Sequence, residues 1–251
     1  MEAGTYNEQI EFYNIPNLSA QAKLTVLGDP INPEKIKIIF QSPKLIDNHN
    51  VLKINGTSHI SITGMTLENT ATDTASAIFI TQNASNITIS NCQIIIADNP
   101  SAEILIGVSG SNNSFLNFNG ESGNNNKIIN STFIGGTHSI SIFGELPTKM
   151  SSGYEVLGNR MLNFIKAGIF GADVNFKNIS NNEISEKPES PNSYGIIINE
   201  SDSAITINAN KIAGVSKSGI TAISQNLSGL GENLVSNNMI LGNESNEISR
   251  G

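Results

Sequence analysis

Hydrophobic and polar positions alternate along most of this chain with a period of two, in runs of three to five residues separated by short polar turns. The run "NITISNCQI" (residues 86–94) places Ile87 and Ile89 on one side, breaks at Asn91 and resumes at Ile94. Alternation of this kind belongs to a strand with one buried face, and a helix would need apolar spacing near 3.6 residues. Related strings recur as "ISITGMTL", "KIINSTFI", "EVLGNRML", "FKNISNNEI", "ITINANKI" and "NLVSNNMI". Taking Ile62, Ile89, Ile129, Leu157, Ile179, Ile207 and Val235 as their reference positions, the gaps are 27, 40, 28, 22, 28 and 28 residues. A nearly fixed spacing of this size marks a stacked repeat architecture.

Each repeat holds three short strands. "VLKI", "AIFI", "ILIG", "ISIF" and "GIII" form one family, "ISI", "ITI", "KII" and "NLV" a second, and "MTL", "QIII", "TFI", "RML" and "KIA" a third. Coils of three strands, stacked so that each pairs in parallel with its counterparts, merge the inward Ile, Leu and Val into one apolar column. The expected fold is therefore all-β: a right-handed parallel β-helix of about seven to eight coils, the hand following the preference of parallel crossovers. It is expected as a single domain, with residues 1–33 an N-terminal strand and cap segment and residues 34–251 the solenoid. Between the second and third strands lies a tight turn, "ISNNEI" or "VSNNMI", in which Asn tolerates a left-handed backbone and can bond its neighbour one coil away. Asn91, Asn159, Asn181 and Asn237 are assigned to one turn position, and Asn182, Asn210 and Asn238 to the next.

These repeats resemble the right-handed parallel β-helix (pectin lyase-like) superfamily, over roughly residues 34–242. The opening "GTYNEQIEF" (Gly4 to Phe12) is similar to the Gly-x-Tyr-x-Glu segment that opens the helix in pectin methylesterases and bacterial surface proteins. The resemblance implies an extracellular or cell-surface bacterial setting and other domains of a longer parent chain as neighbours, because a strand and capping helix normally precede that segment. It also implies that chemistry, where present, sits on the outward side of the first strand family. By alternation those outward residues are Lys53, Phe79, Leu105, Ser141, Phe170, Ile197 and Thr221. A row with no carboxylate and one cation lacks the acid clusters and bases of pectate lyases, polygalacturonases and pectin methylesterases, so activity of those kinds is not expected there.

Composition narrows the partners. Of 251 residues 14% are charged, the formal net charge is −8, and the only arginines are Arg160 and Arg250. Phosphate backbones are bound mainly through Lys and Arg, so nucleic acid is not an expected partner. No 18-residue apolar run exists, so membrane insertion is not expected. Cys92 is the only cysteine, which excludes an internal disulfide, and it reads as a small buried residue. His49, His59 and His138 have no metal-like spacing, and "GLGEN" is too short for a nucleotide fingerprint, so no metal or cofactor is expected.

What departs from regularity is the stretched gap, residues 109–126, and the loop 144–154, which would leave the same edge of adjacent coils. Rigid scaffolds carry function on such loops. The candidate carbohydrate contacts are Phe79, Phe170, Tyr154, Arg160, Glu145, Lys149 and Tyr194, with Glu121 and Glu155 nearby. Three readings stay open: a non-catalytic module recognising a polysaccharide, glycan or surface; a polysaccharide-processing enzyme; and a structural spacer.

Overall fold

In a computed structural model of the chain, the structure describes residues 1–40, 50–71, 74–96, 105–110, 122–144, 150–188, 190, 192–223 and 231–242. Within them, 25 short strands lie in three parallel sheets of nine, eight and eight strands. Sheet A runs from Gly4–Asn7 to Met239–Leu241, sheet B from Ile10–Tyr13 to Ser218–Ile223, and sheet C from Leu24–Leu27 to Leu234–Ser236. The chain visits A, B and C in turn through eight coils and then adds a ninth strand to sheet A. One 3-10 turn, Pro33–Lys35, is the only helical element among the described residues. The fold is the expected parallel β-helix. Residues 1–33 supply the first strand of each sheet and so already form a coil.

The core is built from columns of identical register. In sheet C, Ile62, Ile89, Ile128, Val156, Ile179 and Ile207 stack on one another and are fully buried. The inward members are thus Ile128 and Val156, one residue before the reference positions Ile129 and Leu157. "KII" and "EVL" carry apolar residues on both faces, and a one-residue slip is invisible where alternation fails. Sheet A contributes Phe133, Met161, Ile184 and Ile212 in the same manner.

The turn between sheets C and A has two stacked rows. The first needs a left-handed residue and holds Gly64, Asn91, Asn130, Gly158, Asn181, Ala209 and Asn237. The second is a hydrogen-bond ladder in which the backbone N–H of Cys92, Ser131, Asn159, Asn182 and Asn210 each reaches the side chain one coil on, at 2.9–3.2 Å. Asn159 therefore belongs to the second row with Asn182, because Gly158 takes the left-handed position before it. Cys92 fills a ladder position with sulfur.

Where several of the sheet B strands begin, space is scarce. A Cβ on Gly195 would stand 2.5 Å from the Gly219 carbonyl oxygen and 2.6 Å from Ile212 Cγ2, and one on Gly168 2.6 Å from Ile184 Cγ2. Sheet A side chains occupy that corner, so glycine recurs there.

Candidate functional site

The outward row of sheet B reads Glu11, Lys53, Phe79, Ser109, Ser141, Phe170, Ile197 and Thr221 in continuous register. Ser109 stands where Leu105 was expected, and Leu105 pairs instead with Ala75. Gly107 and Val108 both face the core, so parity counted from the strand start is lost. Phe79 is only 1% exposed, and Ser109 and Ser141 are equally covered. The stripe opens at Phe170, Ile197 and Thr221, which are half-buried. The Phe170 ring packs against Phe143 at 5.4 Å and His138 at 5.8 Å between centroids.

The other sequence candidates scatter. Tyr154 is a core residue: a register shift beside it in sheet C turns the ring inward against Phe176, and its hydroxyl donates to the Ser122 carbonyl at 2.7 Å. It cannot meet a glycan. Arg160 is exposed on sheet A, away from sheet B, and its Nε lies 3.1 Å from Glu183 Oε2. Glu155 sits in sheet C, 2.9 Å from Lys127 Nζ and 3.7 Å from Lys177 Nζ. Tyr194 is half-buried at the opening of a sheet B strand, with Lys217 Nζ 5.2 Å from its ring centre. Glu121, Glu145, Lys149 and most of the 109–126 insertion lie outside the described residues.

A different arrangement emerges where sheet B strands turn into sheet C. Asn14, Gly56, Gln82, Asp173 and Glu200 occupy this turn on different coils with φ of 44°, 63°, 55°, 57° and 58°. Four of them donate the backbone N–H to the next coil: Asn14 to Asn55 O (3.2 Å), Gly56 to Thr81 O (3.1 Å), Asp173 to Asn199 O (3.0 Å) and Glu200 to Ile223 O (2.9 Å). The left-handed region costs a long side chain about 1–2 kcal/mol. Gln82 and Glu200 sustain it, and backbone strain of this kind concentrates at functional positions.

At the first three coils the row forms a surface groove of about 450 Å³ lined by Tyr13, Asn14, Asn55, Gly56 and Gln82. Tyr13 is 63% exposed. A Cβ on Gly56 would lie 2.7 Å from Asn14 Oδ1, so glycine lets the Asn14 amide lie across the turn. Asn55 Nδ2 donates to Glu11 Oε1 at 2.9 Å.

Further along, two carboxyls meet on adjacent coils. Asp173, 7% exposed, shares a hydrogen bond with Glu200, and among the described residues neither its buried Oδ1 nor Asn199 Oδ1 meets a donor. Burial first, and the Glu200 charge second, push the Asp173 pKa up to about 6. On the sheet face, burial pulls His138 down to about 4, helped by the Lys166 charge, and its Nδ1 has no partner among the described residues. No three His, Cys, Asp or Glu converge on a metal position among the described residues.

The sequence reading missed Asp173, Glu200 and the Tyr13 groove. Aligning "GIFGAD" with "GIIINE" would have exposed the acids, since each follows its glycine by the same offset. Tyr13 fell in the segment set aside as a cap.

No family model and no curated protein matches the sequence. Among solved structures the chain is similar to the crystal structure of pectate lyase Pel9A, at a TM-score of 0.45 and 11% identity, covering 100% of this chain and 71% of that one.

Proposed function

We propose that this β-helix is a non-catalytic carbohydrate-recognition module of an extracellular or cell-surface protein, holding its glycan along the turn row that borders sheet B. The observation that carries this reading is the Tyr13 groove. An exposed aromatic ring beside side-chain amides offers an apolar platform for a sugar's C–H face and paired donors and acceptors for its hydroxyls. A glycan array probed with the intact chain tests it. Binding that is lost in Tyr13→Ala supports the reading, and no binding to any glycan removes it.

The Asp173–Glu200 pair favours a second reading, glycoside hydrolysis. Its spacing argues against that reading: glycosidase carboxyls stand about 5–5.5 Å apart in retaining enzymes and about 6.5–9.5 Å in inverting ones. Carboxyls close enough to share a hydrogen bond behave as one proton-sharing unit. Release of reducing ends by the wild type and not by Asp173→Asn would restore the enzyme reading.

A further inference from the structure

Resting on the glycan-recognition reading, we propose that the Tyr13 groove selects an uncharged polysaccharide, laid parallel to the solenoid axis across the first three coils, and rejects polyuronates.

The direction follows from where the lining residues come from. Asn14, Gly56 and Gln82 are the same turn position on three successive coils, and Tyr13 and Asn55 precede two of them in paired register. Coils repeat at about 4.8 Å, so the groove offers a line of contacts roughly 10–14 Å long along the axis. A ligand crossing the axis would meet one coil's contribution at a time.

The charge follows from the groups that surround the groove among the described residues. Carboxylate recognition calls for Arg or Lys, ideally in paired geometry. Among the described residues, the cation beside this groove is Lys53, whose side chain is 18% exposed and whose Nζ lies 3.5 Å from Glu11 Oε1. Glu11 is more open, at 45%, and also accepts from the groove residue Asn55. An incoming uronate therefore meets Glu11 ahead of Lys53, on a protein of net charge −8. The amides of Asn14, Asn55 and Gln82 carry no charge and suit vicinal hydroxyls, each supplying donors and an acceptor.

The test is affinity electrophoresis of the full chain in gels containing a neutral β-glucan, a neutral galactomannan or polygalacturonate. Calorimetry with neutral oligosaccharides from disaccharide to hexasaccharide runs alongside. Expected are retardation by a neutral polymer, none by polygalacturonate, and affinity that rises with length and then levels once the groove is spanned. Tyr13→Ala should weaken binding about tenfold or more, equivalent to about 1.4 kcal/mol. Gly56→Ala, which displaces Asn14 and leaves Tyr13 in place, should weaken it several-fold, with melting curves confirming that both variants fold. Retardation by polygalacturonate overturns the selectivity while leaving glycan recognition standing. Neutral binding unaffected by either variant places the ligand elsewhere and overturns the inference, and no retardation by any polymer overturns both.

Discussion

Asn182 donates twice to one atom: its backbone N–H at 3.0 Å and its side-chain amide at 2.9 Å both reach Oδ1 of Asn210. Its amide nitrogen also donates to the Val156 carbonyl at 2.9 Å, two coils from Asn210 along the stack. Removing this buried amide leaves at least one backbone N–H and one carbonyl group without its full complement, and each orphan costs about 1–3 kcal/mol. Asn182→Ala should therefore lose about 2–4 kcal/mol in urea denaturation. Asn181→Gly, one residue earlier in an exposed left-handed position, should change stability by under about 1 kcal/mol. Equal losses at the two positions would remove the ladder as the source.

Asp173 and His138 act on stability over the same pH span with opposite sign. Asp173 holds its proton more tightly folded, at about 6 against 3.8, so its contribution is full below about pH 4 and lost as pH rises through 6. His138 stays neutral when folded, at about 4 against 6.5, so its contribution is present above about 6.5 and lost as pH falls through 4. Relative to wild type, Asp173→Asn should gain on the order of 1–2 kcal/mol between pH 4 and 7, allowing for screening at the turn. His138→Gln should gain relative to wild type as pH falls across the same range. Urea titrations at several pH values read both trends, and a pH-independent difference for either variant contradicts its assignment.

Cys92 is buried, and desolvation pushes its thiol up to about 11. Native protein should resist a disulfide reagent at neutral pH, and labelling should speed up with urea in step with global unfolding. Ser131, its neighbour in the ladder, shows that a hydroxyl fits this turn: it donates to Ile129 O at 3.1 Å where Cys92 Sγ reaches Ser90 O at 3.3 Å. Cys92→Ser should accordingly cost under about 1.5 kcal/mol, within the range of near-isosteric core changes. Rapid labelling of the native state would show that the turn opens locally.

Gly195→Ala forces a methyl against the Gly219 carbonyl and Ile212 and should cost about 1–3 kcal/mol or more. Trimming Ile212 to Val should recover only a small part, because it removes Cδ1 and leaves both Cγ2 and the Gly219 carbonyl in the way. Gly4→Ala, whose nearest contact would be an ordinary 3.7 Å, is the matched control and should melt with wild type.

The three strand families were legible because their polar and apolar residues alternate, and alternation survives stacking. It misled where both faces are apolar, at Ile128 and Ile129, and where Gly107 and Val108 both turn to the core. Tyr154 looked like a loop residue because nothing local signals the register shift that draws it inside. The Tyr13 groove was not legible either. Its members are 42 and 26 residues apart from one coil to the next, Asn14 to Gly56 to Gln82, and only the stacking of unequal coils brings them together.

The left-handed turn row has one more consequence. Its positions are set by backbone geometry and carry side chains as different as those of Asn14, Gly56, Gln82, Asp173 and Glu200, so chemistry there can change without repacking the interior. Asn14, Gly56 and Gln82 mark three successive coils and Asp173 and Glu200 two more, each step about 4.8 Å, so each run is a ruler. Substituting its marks one at a time would report how far along the axis a bound chain extends, with a resolution of a single coil.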